Sequence, residues 1–463
     1  MAASKSRREF LSDTFSVFGA FAVGGALSTL GARTALGEKV KQSMPLAPVL
    51  DETTGLPLLK LPEGFRYISY GWTGDEMNDG QPTPPMHDGM GVVAKSGNLL
   101  MLTRNHETSN VGTPFQFKEG RPYDDMATGG CTQLIFDTKL DRWIESYGAI
   151  SGTVRNCAGG VTPWGSWLTC EETVVDQKDG NDVAKFGQTH GWVFEVPAEG
   201  TASAEPIKEM GRFVHEAVAI DRESGYVYLT EDAGEAGFYR FRPNTPGKLA
   251  AGGTLEIAEV VGQADLQGGF HDGSSFPVRW HRIANPTLES SDPTAKVETV
   301  YEQGKKLGGS TFSRLEGCWY GNGLIYFDAT DGGAAKAGQI WQYDPRQETV
   351  TLLYESRSKR TLNMPDNLCV SPQGGLILCE DNDYAGEDPL PQRMLTLTKD
   401  GRLNTFAENN IVLRGEINGL TGSFVDKEWA GSTFSPDGKW LFANIQTPGI
   451  TFAITGPWND LLV

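Results

Sequence analysis

The sequence predicts an all-β fold, a six-bladed β-propeller with few short helices in the insertions between strands. Three observations predict it. The 463 residues include 57 Gly and 25 Pro, residues that suit turns and interrupt helices. Short apolar runs bounded by Gly, Asp, Asn and Pro recur almost from end to end, as many strands joined by tight turns require. One hairpin pattern also repeats: a polar residue, a β-prone run, a Gly-rich turn, a second apolar run, then an acidic or polar cluster.

In chain order, a weaker copy runs from Asp88 to Glu107 and closes on Arg104-Asn105-His106-Glu107. The next is Asn156-Cys157-Ala158-Gly159-Gly160-Val161, a turn at Thr162 to Gly165, then Ser166 to Cys170 and Glu171-Glu172. His215-Glu216-Ala217-Val218-Ala219-Ile220 turns at Asp221 to Gly225 and returns through Tyr226 to Thr230, ending in Glu231-Asp232. Leu315-Glu316-Gly317-Cys318-Trp319-Tyr320 turns at Gly321-Asn322-Gly323 and returns to Asp328 and Asp331. Pro365-Asp366-Asn367-Leu368-Cys369-Val370 turns at Ser371 to Gly375 and returns to Glu380-Asp381-Asn382-Asp383. A second weaker copy is Trp429 to Asn444 with Ser435-Pro436-Asp437-Gly438 as its turn. The polar ends of the better copies lie about fourteen or fifteen residues apart, the size of a hairpin of two ordinary strands. Further strands follow several hairpins, such as Trp192 to Val196, Phe238 to Phe241 and Gln339 to Tyr343. A hairpin with further strands, repeated around a ring, is the four-stranded blade of a propeller.

Blade geometry gives these offsets a meaning. The first strand lines the central channel, and the second runs antiparallel to it, so the start of one and the end of the other emerge on the same face. Cys157, Glu216, Glu316 and Asp366 are thus expected at one mouth, with Glu107, Glu171, Glu172, Glu231, Asp232, Glu380, Asp381 and Asp383 behind them. At any single position, an acid at a strand end is ordinarily a turn former or a solvated residue. Turn formers belong at the loop of a hairpin, however, and these acids recur at its open end. So many adjacent carboxylates stay ionised only with compensating charge, and hard cations bind such oxygen clusters. Charge composition agrees: 40 Lys and Arg against 59 Asp and Glu give a net charge of −19, which disfavours nucleic acid and anionic membranes as partners.

The amino terminus adds a second prediction. Ser6-Arg7-Arg8-Glu9-Phe10-Leu11 precedes an uncharged stretch from Thr14 to Gly31, the layout of a twin-arginine export signal. A short membrane anchor is the alternative, since the stretch is near the lower limit for spanning. Cleavage is expected after Gly37, with Ala35 at the small-residue position. Residues 1–37 would then be the signal segment and 38–463 a single propeller domain. The twin-arginine machinery is the implied partner, carrying the folded protein to the periplasm or the medium, where it is expected to be monomeric.

The chain also resembles the PhoX alkaline phosphatases. The resemblance lies in Asn156-Cys157-Ala158-Gly159-Gly160 leading to Thr162-Pro163-Trp164-Gly165-Ser166-Trp167-Leu168-Thr169-Cys170-Glu171-Glu172, in Phe213-Val214-His215-Glu216-Ala217, in Arg314-Leu315-Glu316-Gly317, in Pro365-Asp366-Asn367-Leu368 and in Phe434-Ser435-Pro436-Asp437-Gly438. It covers most of the chain beyond the leader. The resemblance implies a twin-arginine-exported six-bladed propeller carrying two Fe(III) and three Ca2+ joined through a bridging oxo group, which hydrolyses phosphate monoesters and in some members diesters. By that resemblance Cys157 would be a thiolate ligand to iron and Glu216 and Glu316 iron ligands. Glu171 or Glu172, with carboxylates such as Asp232, Asp366 and Asp381, would serve calcium or bridge ions; Glu107 and Glu380 join the expected metal set. Arg314 would face the phosphate, with Glu316 two residues on and on the same side of the strand. The sequence departs from the family in two respects: residues 145 to 154 hold no Lys, with only Arg155 basic just upstream of Cys157, and many members of the family are longer.

Other residues are read more blandly. Cys131, Cys170 and Cys318 sit in apolar runs as buried small residues, Cys369 and Cys379 fall on two strands of one hairpin, and no CxxC pair occurs. His215 alternates away from Glu216 and suits packing. Trp164 and Trp167 are open between a substrate entrance and packing. Two other functions are compatible with the repeats: a calcium-binding propeller lactonase or esterase, and a non-catalytic propeller held together by calcium.

Overall fold

The computed structural model describes residues 45–117, 120–176, 186–292, 295–382 and 391–461. The expected signal segment 1–37 and Asp383 lie outside the described residues. Met44 to Val463 form one compact unit, and its described residues are nearly all β, with a single α-helix, Val300–Lys306. That helix begins at a capping box, in which Thr299 accepts from the Glu302 N–H and Glu302 reaches back to the Thr299 N–H, so two otherwise unpaired donors are satisfied.

All six repeats fold as antiparallel hairpins. Their first strands are His87–Ser96, Asn156–Val161, His215–Ile220, Leu315–Gly321, Pro365–Val370 and Trp429–Phe434. Their partners are Leu99–His106, Ser166–Glu171, Val227–Glu231, Leu324–Ala329, Leu376–Glu380 and Trp440–Ile445. Each first strand packs against the first strand of the next hairpin, and the last packs against the first, so the ring closes around a channel. Arg66–Tyr70 pairs with Ile450–Thr455, so a strand from near the start of the described chain completes the sheet formed by its end. This leaves no open seam in the ring.

The hydrogen-bonded sheets are less uniform than the repeat suggests. Ser275–Arg282 pairs with Gly253–Val260 on one side and Thr349–Glu355 on the other, fusing two hairpins with their outer strands into a nine-stranded sheet. Leu46–Val49 and Leu59–Pro62 extend the sheet of the Asp366 hairpin to six strands, whereas among the described residues the Cys157 hairpin has one further strand. The physical reason is that the inserted strands cover outer edges whose N–H and C=O groups would otherwise be unpaired.

Close approach of the first strands depends on small residues. Gly89, Ala158, Ala217, Gly317 and Gly431 occupy corresponding positions. A Cβ added to Gly160 would sit 2.0 Å from the Val218 carbonyl oxygen on the neighbouring strand, and backbone there has no room to move. Larger side chains, among them Trp167, Trp341 and Trp429, are fully buried between sheets. Gly160→Ala is expected to destabilise the protein by about 2 kcal/mol or more through overpacking, measurable as a lower denaturant midpoint at unchanged slope.

Candidate metal centre

The first strands share one irregularity. The ladder slips between His87 and Met90, Asn156 and Gly159, His215 and Val218, Leu315 and Cys318, Pro365 and Asn367, and Ala430 and Thr433. A β-bulge takes a residue off the ladder and re-aims its side chain. In five hairpins the residues freed this way include Asp88, Cys157, Glu216, Glu316 and Asp366.

A backbone clamp fixes the open end of every hairpin. The residue after the second strand donates its N–H to the carbonyl of the residue before the first: Glu107 to Met86 (2.9 Å), Glu172 to Arg155 (2.9 Å), Asp232 to Val214 (3.1 Å), Thr330 to Arg314 (2.9 Å), Asp381 to Met364 (3.0 Å) and Gln446 to Glu428 (3.3 Å). Met86, Arg155, Arg314 and Met364 have left-handed φ values of 56°, 53°, 42° and 52°. Arg314 and Glu316 do share a side, as expected, but through this turn and the bulge rather than through regular strand alternation.

Consecutive acids divide by face. Glu171 is fully buried away from the mouth, accepting from the Val154, Gly191 and Trp192 N–H groups and from His190 Nδ1 at 2.7 Å. Glu380 accepts from the Asn363 N–H and is gripped by Arg393 at 2.6 and 2.8 Å. Glu231 accepts from the Gly237 N–H and the Tyr239 hydroxyl. These three carboxylates are satisfied by the scaffold, and neither Glu171 nor Glu380 joins the acidic clusters. Their successors Glu172, Asp232 and Asp381 go to the mouth instead, because neighbouring residues of an extended chain face opposite sides.

Three groups of side chains each bring candidate ligand atoms within 4.8 Å of one another: Glu107 with Cys157 and Glu172, Asp88 with Glu107 and Glu428, and Glu216 with Glu316 and Asp366. The structure thus gathers Cys157, Glu107, Glu172, Glu216, Glu316 and Asp366 as expected. It adds Asp88, whose weaker repeat signalled it, and Glu428, which stands one residue ahead of its strand and outside the repeat's offset. Asp381 lies beside Asp366 and Glu428. Asp232 is held by Arg314, which donates through Nε at 2.9 Å and Nη2 at 3.2 Å and reaches Glu316 at 2.6 Å. Arg155 Nε lies 2.9 Å from Glu107 and 3.0 Å from Glu172.

Burial, with neighbouring carboxylates, raises the carboxyl pKa values of Asp88, Glu216, Glu316 and Glu428 well above the usual range. Burial likewise raises Glu172, against the pull of Arg155, and brings Asp381 to about 6 with Asp366 adding to the shift. Cys157 is driven up by burial and by the surrounding acids. Burial opposes the charge on Arg155 and Arg314, yet their carboxylate partners outweigh it and hold both above the ordinary value.

The donor set fits cations. Both Glu216 carboxylate oxygens are buried and accept no hydrogen bond among the described residues, a state that costs several kcal/mol for an ion without a counter-charge. Clustered carboxylates suit hard, oxygen-preferring cations, and one cluster adds a thiol that suits iron. The Cys157 strand is itself braced. Asn105 is fully buried and donates through Nδ2 to the Cys157 and Ala158 carbonyls at 2.9 and 2.8 Å. Its Oδ1 accepts from Cys131, Trp167 Nε1 and Thr169.

The remaining candidates pack. His215 bonds the Gly211 carbonyl and lies against Phe213. His190, which no sequence pattern marked, bridges Glu171 and Asp124; burial opposes its charge, but the two carboxylates push its pKa to about 9. Trp164 sits on the hairpin turn, at the end opposite the mouth, and donates to Glu195. All six cysteines are buried and free.

The closed ring and its converging acids define a metal-binding β-propeller. The chain belongs to the PhoX alkaline phosphatase family, whose model, described as "Alkaline phosphatase PhoX", matches residues 43–449. It is a metal-dependent phosphatase, and membership selects that activity over the lactonase and scaffold alternatives. Among solved structures it is similar to Pseudomonas fluorescens PhoX in complex with vanadate, a transition state analogue, at TM-score 0.64 and 17% identity over 89% of this chain and 97% of that one; this likeness concerns the fold. A gluconolactonase, XC5397 from Xanthomonas campestris, aligns at TM-score 0.43 and 11% identity over 90% of this chain and 99% of that one. Comparison with curated protein sequences finds no match.

A raised carboxyl pKa means that the metal-free folded state binds protons more tightly than the unfolded chain, whose carboxylates titrate near pH ~4. Stability from these groups is therefore full below that pH and lost as pH rises through the folded values, about 6 for the mouth carboxylate Asp381. The melting temperature of chelated protein is expected to fall from pH 5 to pH 8 (about the span of those shifts), while the cation-loaded protein holds its value.

Proposed function

We propose that this protein hydrolyses phosphate esters, monoesters foremost and diesters secondarily, at the acidic mouth of the propeller. One observation carries the reading: three ligand clusters and two arginines converge where six hairpins open. In this reading Cys157, Glu216 and Glu316 would hold iron as Fe(III). Glu107, Glu172, Asp88, Glu428, Asp232, Asp366 and Asp381 serve up to three calcium ions. Bound cations neutralise the charge on phosphoryl oxygens and acidify water enough for attack at neutral pH.

The chain's own residues bind and orient the substrate. Arg314 is fixed by Asp232 and Glu316, and the described residues leave its Nη1 unpaired, so that donor is free for a phosphoryl oxygen. Glu316 holds the guanidinium in place and lies against Glu216 and Asp366. Among the described residues the waist of the channel is narrow: a void of about 10 Å³ lies between Gly89, Ala158, Ala217, Gly317 and Trp319, and a separate cavity of about 370 Å³ opens at the far end, lined by Val92, Val161, Val218, Arg222 and Pro372 among others. Substrate and product therefore use the acidic mouth alone.

Residues 1–37 act in this reading as a twin-arginine leader, and 38–463 work as a monomeric catalytic domain in the periplasm or outside the cell. Elemental analysis of the folded protein coupled to hydrolysis of p-nitrophenyl phosphate tests the whole. Glu316→Gln and Arg314→Ala should each lower kcat/KM by about a hundredfold or more, and chelation should abolish turnover until cations are restored. Unchanged activity in both variants refutes the assigned roles.

A further inference from the structure

Arg155 and Arg314 occupy the same place in two hairpins. Each stands one residue ahead of the first strand with a left-handed φ, and each accepts the backbone clamp through its carbonyl. Each is also gripped by an acid of the preceding hairpin, Glu107 or Asp232, and by one of its own, Glu172 or Glu316. The other four residues at this place are Met86, Val214, Met364 and Glu428, so these are its two basic groups. Glu172 and Asp232 are themselves hydrogen-bonding neighbours. A continuous arc of charged groups thus runs Glu107, Arg155, Glu172, Asp232, Arg314, Glu316, with each arginine set between two carboxylates.

The two arginines differ in what they leave free. Arg314 spends Nε and Nη2 on its carboxylates and its side chain is 34% exposed. Arg155 contacts both of its carboxylates through Nε. Among the described residues neither Nη1 nor Nη2 has a partner, and the side chain is 44% exposed at the mouth. The planar fork that matches two oxygens of a phosphate is therefore presented to solvent on a guanidinium whose orientation is already fixed.

We propose that Arg155 is a second substrate-binding arm, which takes the additional anionic oxygen of a dianionic phosphoryl group and so sets the preference for monoesters over diesters. The proposal rests on the phosphatase reading. A monoester is a dianion at alkaline pH and a diester a monoanion, and the carboxylate-rich arc repels the former more unless a second guanidinium compensates. Losing the fork removes that compensation selectively.

The test uses Arg155→Lys, which keeps a cation beside Glu107 and Glu172 but has no fork, and Arg155→Met, which removes both. For each, KM and kcat are measured on p-nitrophenyl phosphate and bis(p-nitrophenyl) phosphate, with metal content by elemental analysis and inorganic phosphate binding by calorimetry. In Arg155→Lys the monoester KM and the phosphate dissociation constant should rise about tenfold, while the diester KM changes by less than about threefold and metal content holds; Arg155→Met should show a larger monoester effect. Monoester and diester constants that move together, or stay unchanged, overturn the proposal. So does loss of metal from Arg155→Lys, which would assign the residue to holding its carboxylates. Phosphate binding needs no turnover, so an inactive wild type that binds phosphate in an Arg155-dependent way would sink the phosphatase reading and leave the anion-binding arm standing.

Discussion

The backbone clamp at the open end of each hairpin is the constraint on which the site depends. It joins the residue before the first strand to the residue after the second, and it does so six times. Because the bond is made by main-chain atoms, side chains at both ends stay free to differ: Met86, Val214 and Met364 in some hairpins, arginines in two and Glu428 in another. The bulge that follows turns the next side chain toward the axis. Clamp and bulge together let one repeated backbone carry a thiol, several carboxylates and two guanidiniums at nearly equivalent points.

Charge explains why the arrangement needs ions. Folding brings at least eight acids and two arginines to one rim, and burial makes each unpaired carboxylate costly. In the absence of cations the site holds protons, as the raised pKa values of Glu216, Glu316 and Glu428 express. Cations must displace those protons, so metal binding, folding stability and pH are one linked equilibrium. Glu171, Glu231 and Glu380 stay outside the ligand clusters, where N–H groups, Tyr239, His190 and Arg393 already satisfy them. They act as braces behind the acids that bind.

Rigidity follows from the same design. Asn105 uses both amide hydrogens on carbonyls of the Cys157 strand and its oxygen on three donors, so the segment that presents the thiol is tied to two sheets at once. Thr230 does the same for the Glu316 strand, donating to the Glu316 carbonyl at 2.6 Å, and Asn444 for the Asp88 strand, donating to the Asp88 carbonyl at 2.6 Å. These polar bridges cross from one hairpin to the next, and they sit where a propeller is otherwise held only by packing.

Much was legible in the sequence because it is periodic. Alternation and turn residues locate the strands of every hairpin, and the recurrence of acids at their open ends singles out Cys157, Glu216, Glu316, Asp366, Glu107 and Glu172. Tertiary structure alone decided the rest. Strand period says that Glu171 and Glu172 face apart, yet which of them meets the mouth depends on the register and on where His190 and Asp124 come to lie. Glu428 enters from the place ahead of the first strand, where no other repeat carries an acid, and it meets Asp88 only because the ring closes the last hairpin against the first. The fusion of two hairpins through Ser275–Arg282 likewise depends on edges that become neighbours after folding. Local pattern determines what a segment can form; contacts between residues hundreds of positions apart determine which of its side chains share an ion.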